Sequence, residues 1–171
     1  MKDKWVQRWL LHAKLHASFS PCPRGKVGAW IVDPTTNSPI SAGYNGTPRG
    51  LPGNLCGISV CTRDEQCIKS GTQTEVGCHH AESNALMNAL QVGGNVRGAH
   101  MVVATPPCLS CAKLIHHAGI DTVHTVHTPQ YPKGCEYLLK RGVKVKRHDM
   151  PDQSSSLKSR STEGIHSSTE G

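Results

Sequence analysis

HAESNALMNALQV, residues 80–92, and HMVVATPPCLSCAKLIHHAG, residues 100–119, decide how this chain folds. The first carries apolar residues at helical spacing and reads as a helix from Ala81 to Val92. The second opens as a strand from His100 to Ala104, is kept non-helical by Pro106 and Pro107, and becomes a helix from Cys108 to Ala118 that stops at Gly119. Working downstream, Asp121 to His127 alternates like a strand, Cys135 to Arg141 is helical with Gly142 after it, and Val143 to Lys146 is a last strand. Strands separated by helices predict an α/β protein with a largely parallel sheet and helices on its faces.

Working upstream, Trp5, Val6, Trp9, Leu10, Ala13 and Ala17 recur at helical spacing, so Lys4 to Ser18 reads as an amphipathic helix ended by Ser20 and Pro21. VGAWIV, residues 27–32, is apolar on both pleat faces and marks a strand covered on both sides. After a turn from Asp33 to Pro39, Ile40 to Tyr44 is placed to pair back as an antiparallel partner. Asn45 to Gly77 is rich in Gly, Pro, Thr and Cys without a period, and a stretch that long needs a staple or a function. Past Met150 the chain is rich in Ser, Thr and Gly, with STEG at Ser161 and again at Ser168. Residues 1–150 therefore read as one working domain and 151–171 as a disordered tail.

Composition narrows the function. Apolar runs fall far short of the ~20 residues that cross a bilayer, and the N-terminal residues lack the continuous apolar segment of a signal peptide, so the expectation is a cytosolic protein without a membrane span. Nineteen Lys and Arg against twelve Asp and Glu give a formal charge of +7, which favours an anionic partner such as a nucleotide. Aromatic residues are only 4%, too few for the stacking platforms that hold single strands, so a small anion is preferred to nucleic acid. Eight cysteines in a reducing compartment read as metal ligands rather than as a disulfide framework.

The chemistry lies in two short motifs. His80-Ala81-Glu82 opens one helix and Pro107-Cys108-Leu109-Ser110-Cys111 opens another; together they fit the H-x-E and P-C-x-x-C signature of zinc deaminases. Cys108 and Cys111, three apart in a first helical turn, can point their sulfurs at one ion. His80 and Glu82, two apart, can both reach it only if His80 sits at or before the helix start, which predicts two helix N-termini facing one Zn2+. Three protein ligands leave one tetrahedral position open, as a catalytic zinc requires, and Glu82 is then free to move protons between water, N3 of a cytosine ring and the departing amine.

HAE and PCLSC resemble the cytidine deaminase superfamily. KVGAWIV followed by ISAGYNGTPRGLPG, within residues 26–53, and CTRDEQCIKSGTQTEVGCHHAESNAL, residues 61–86, resemble its deoxycytidylate deaminases. The resemblance implies a three-layer α/β/α fold on a mixed five-stranded sheet and hydrolysis of dCMP to dUMP for thymidylate synthesis. It also implies a homohexamer, activation by dCTP and inhibition by dTTP, with Mg2+ accompanying the triphosphates. By the same resemblance Asn45, Ala81 and Tyr131 serve the substrate, and the Gly43-Tyr44-Asn45-Gly46 backbone serves an effector nucleotide, with Arg24, Lys26 and Arg49 as cations for phosphate. On the residues alone, Asn45-Gly46 reads equally as a plain turn. Cys22, Cys56 and Cys78 match positions that hold a second, structural zinc in members of the family, with Cys61 preferred to Cys67 as the fourth ligand. His79 is expected at the surface beside His80, and Cys135 in the core. Two other readings share the zinc motif: a deaminase acting on tRNA adenosine or single-strand cytosine, and a non-catalytic zinc- or nucleotide-binding module.

Overall fold

The computed structural model describes residues 1–47, 60–70, 72, 74, 76–128 and 132–151; Arg49, Cys56, Tyr131 and the tail beyond Pro151 lie outside the described residues. Along the chain come α1 (Asp3–Ala17), β1 (Gly28–Val32), β2 (Pro39–Tyr44), α2 (Thr62–Glu65), α3 (Ala81–Gln91), β3 (His100–Val103), α4 (Leu109–His117), β4 (Thr122–Val126), α5 (Lys133–Lys140) and β5 (Lys144–His148). The expected elements are all present with ends moved by a few residues. α2 is an addition, a single turn inside the stretch read as irregular.

The five strands form one sheet in the order β2-β1-β3-β4-β5. β3, β4 and β5 run parallel, each joined to the next through a helix, as the alternation of elements requires. β1 is antiparallel to both of its neighbours. The sheet is therefore mixed, and the connection from β2 through α3 to β3 steps over β1.

Residues alternate across the sheet and feed two cores. Ala29, Ile31, Met101, Val103 and Val123 pack with Ala85 and Leu86 of α3, Ala112 and Ile115 of α4 and Leu138 of α5. On the opposite face Val32 and Val102 pack with Val6, Trp9 and Leu10 of α1. This is the three-layer arrangement, with α1 the helix that covers one side among the described residues. β1 is buried on both faces, which is why its sequence shows no polar alternation.

The α1 face also holds a row of imidazoles. His100 of β3, His124 of β4 and His148 of β5 are joined by two nitrogen-to-nitrogen hydrogen bonds of 3.0 Å each. His124, at the centre, is 1% exposed. Among the described residues no helix is long and apolar enough to cross a membrane.

Candidate active site

α3 and α4 begin at the same end of the sheet, where β2 and β3 finish. His80 is the N-cap of α3 and Cys108 the N-cap of α4, both with extended backbone. His80 thus stands just outside its helix, while Glu82 is inside the first turn; this is the offset that lets two residues of nearly opposite helical azimuth meet. The sequence places the helix start at Cys108; the structure starts it one position later, at Leu109, with Cys108 as the cap. In the cap position its sulfur accepts the Cys111 N–H at 3.5 Å.

His80 Nδ1 lies 3.4 Å from the Cys108 sulfur and 3.4 Å from the Cys111 sulfur. Bonds of roughly 2.0–2.1 Å to nitrogen and 2.3 Å to sulfur at tetrahedral angles require about 3.5 Å between such atoms, so the three donors fit zinc. Among the described residues they are the group of three ligating side chains gathered within 4.8 Å. Hydrogen bonds from Cys111, and secondarily from His80, lower the Cys108 thiol to about 3, so its sulfur carries the negative charge that a cation needs. The Cys111 thiol, sharing that interaction and buried, is pushed up. Hydrogen bonding to Cys108 raises His80. Glu82 is 4% exposed, and burial lifts its carboxyl above the usual carboxylate range.

A family model for the cytidine and deoxycytidylate deaminase zinc-binding region matches residues 3–127. The chain belongs to the cytidine and deoxycytidylate deaminase family. It is similar to ComE operon protein 2 of Bacillus subtilis, with 32% identity over 91% of this chain and 77% of that protein. To mouse deoxycytidylate deaminase it is 39% identical over 70% of this chain, spanning 63% of the mouse protein's length, less than two thirds. The crystal structure of a cyanophage S-TIM5 dCMP deaminase in complex with dCMP and dUMP superposes with a TM-score of 0.70 at 28% identity, over 86% of this chain and 99% of that one.

Within this family member the GYNG segment behaves differently from a simple ligand loop. A Cβ on Gly43 would collide with the backbone of Ala81 and Ala85, so its missing side chain serves the packing of α3 on β2. Asn45 is buried, and its side chain is committed: Oδ1 accepts the Val27 N–H at 2.8 Å, while Nδ2 donates to the Gly25 carbonyl at 2.9 Å and faces the Cys78 sulfur at 3.7 Å. Gly46 and His79 exchange backbone hydrogen bonds of 3.1 and 2.8 Å, which ties this loop to the residue preceding His80. Arg24, expected as a phosphate cation, is instead spent on Asp64 at 2.8 Å, the Ile68 carbonyl and Ser70. Lys26 is exposed and donates to the Ser18 carbonyl at 3.4 Å.

Of the second cysteine set, Cys22 and Cys61 are buried, and Cys67 is exposed in a left-handed turn. Cys22 and Cys78 are both attached to Asn45, Cys22 through Ser20, whose hydroxyl accepts the Cys22 N–H and donates to the Asn45 carbonyl. His79 is exposed and Cys135 fully buried, as expected.

A cavity of about 580 Å³ lies beside the GYNG segment, walled by His16, Phe19 and Tyr44 and by Asn84, Asn88 and Gln91 of α3. Asn84 and Asn88 donate their amides to the Tyr44 and Ala42 carbonyls on the free edge of β2. No sequence motif singles out these residues. Their signal was amides at positions 84, 88 and 91, one helical face turned away from the apolar stripe.

Proposed function

We propose that this chain is a hydrolytic dCMP deaminase, converting dCMP to dUMP and ammonia and so supplying the precursor of thymidylate. The observation that carries the reading is the meeting of the His80 imidazole, the two thiols and the buried Glu82 carboxyl at two helix starts. The cyanophage enzyme, solved with dCMP and dUMP, supports the choice of substrate.

When bound, zinc supplies Lewis acidity that lets water act as hydroxide near neutral pH. His80, Cys108 and Cys111 hold it, and Glu82 does the proton work. Its carboxylate accepts the first proton of the attacking water and passes it to N3 of the cytosine ring, then accepts the remaining proton from the hydroxyl added at C4 and delivers it to the amino group, which leaves as ammonia while C4 becomes a carbonyl. A carboxyl raised by burial can hold and release a proton within one turnover. Ala81, the first residue of α3, has an N–H without an intrahelical partner and offers it to the base. By the sequence resemblance, Tyr131 is the tyrosine that lines the base pocket in the family. Asn45 acts on the sugar side by fixing the 25–27 segment, since its own amide is committed.

The finer features are supported by the sequence resemblance. The cavity beside Gly43, Tyr44 and Gly46 takes the effectors, dCTP as activator and dTTP as inhibitor with Mg2+, and Lys26 and Arg49 remain as cations for their phosphates. Cys22, Cys56, Cys61 and Cys78 would hold a structural zinc, and the working enzyme is a cytosolic homohexamer.

The test is ammonia release from dCMP, cytidine, deoxycytidine and a short cytosine-containing oligonucleotide. Turnover confined to the nucleotide monophosphate is expected; turnover of the oligonucleotide alone would replace this reading with a nucleic-acid deaminase. Metal analysis should return two zinc ions per chain, and a value of one removes the second site. Rates that stay flat when dCTP and dTTP are titrated with Mg2+ remove the regulation.

A further inference from the structure

α5 starts at Lys133, and its second residue, Gly134, is buried. A Cβ at this position would collide with the Pro107 carbonyl oxygen and lie 2.7 Å from the Cys108 oxygen and 2.8 Å from its carbonyl carbon. All three neighbours are backbone atoms of the segment that carries a metal ligand. That segment has little room to yield, because the Cys108 oxygen accepts the Ala112 N–H at 2.9 Å and closes the first turn of α4. The Cys108 sulfur is placed by the same residue's extended backbone and stands 3.4 Å from His80 Nδ1.

Conformational need does not explain a glycine here. Residue 134 lies inside a helix and is not among the glycines with positive φ, and glycine is a poor helix former there compared with alanine. Contact does explain it.

We propose that Gly134 is a positioning residue of the metal site: its missing side chain lets α5 abut Pro107 and Cys108, and so fixes the Cys108 sulfur within reach of His80 and Cys111. This rests on the reading of those three residues as zinc ligands, though not on the identity of the substrate.

Gly134→Ala separates two roles by sign. A purely helical role predicts a higher Tm for alanine. The positioning role predicts zinc retention weaker by about tenfold or more against a chromophoric chelator, together with an altered thiolate-to-metal absorption band in the Co2+-substituted protein. Val143→Ala is the control, since Val143 belongs to the same core but follows α5 at the opposite end of the sheet. It should lower Tm while leaving zinc retention and the cobalt spectrum unchanged.

Zinc retention in Gly134→Ala equal to that of the unaltered protein overturns the proposal, as does an equal loss of zinc in Val143→Ala. If Gly134→Ala gives no folded protein, Pro132→Ala loosens the entry to α5 without adding atoms at the contact. Faster zinc release then supports the proposal and an unchanged rate overturns it. Failure of the unaltered protein to take zinc would instead remove the metal reading itself.

Discussion

Lowering the pH from 7 to 5 should cost this fold about 2 kcal/mol through a single imidazole, His124. His124 is 1% exposed and hydrogen-bonded on both sides, to His100 and His148, at 3.0 Å. Burial, followed by the charges that His100 and His148 would carry, lowers it to about 3. Around the row stand the chain's N-terminal amine and Asp3 from α1, Asp121 before β4, and Lys144, Lys146 and Asp149 on or beside β5. Between about pH 6.5 and 3 the unfolded chain holds a proton on this residue that the folded chain refuses. The stability it confers is therefore complete above 6.5 and drains away as the pH falls towards 3. At pH 5 the unfolded imidazole is protonated about thirtyfold over its neutral form, which converts to about 2 kcal/mol. Urea unfolding at pH 7, 6 and 5 measures the slope, and His124→Asn, which keeps a donor and an acceptor without a titration in this range, isolates it. Carboxylates and metal ligands contribute to both proteins and cancel in the comparison. The two proteins losing stability in parallel from pH 7 to 5 would refute the reasoning.

Glu82→Gln keeps the size of the side chain and every zinc ligand, so it should retain zinc by metal analysis while kcat for dCMP falls roughly 10²–10⁴-fold; activity near that of the unaltered enzyme would remove Glu82 from the proton path. Gly43→Ala drives a methyl into the α3 backbone and should destabilise by about 1–3 kcal/mol in denaturant titration, a loss that an effector-contact role alone would not produce. Asn45→Ala leaves the Val27 N–H and the Gly25 carbonyl without their partner and should cost about 1–3 kcal/mol. If Asn45→Ala instead keeps full stability and loses only affinity for the substrate, the clamp is not its role.

Much of the site was legible because its determinants are local. The interval between His80 and Glu82 forces one of them outside a helix, and the Cys108 to Cys111 interval fits a first turn. Both constraints operate within a few residues of chain and survive in the folded protein as two caps that face each other. The Arg24 reading went the other way. A cation near a glycine-rich loop is equally suited to a phosphate or to an aspartate forty positions along, and only the fold brings Asp64 to it.

Periodicity and motif spacing on their own determined the order of helices and strands, the coverage of β1 on both sides, and the gathering of His80, Cys108 and Cys111 with Glu82 at two helix starts. Tertiary structure decided the rest: the antiparallel pairing of β1 with β3, the inward commitment of Asn45, the contacts that require glycine at 43 and 134, and the histidine row. The row shows the reason most simply. His100, His124 and His148 are spaced by 24 residues each, so their hydrogen bonds exist only through strand register, and no local pattern of the chain encodes a contact that depends on which strands lie side by side.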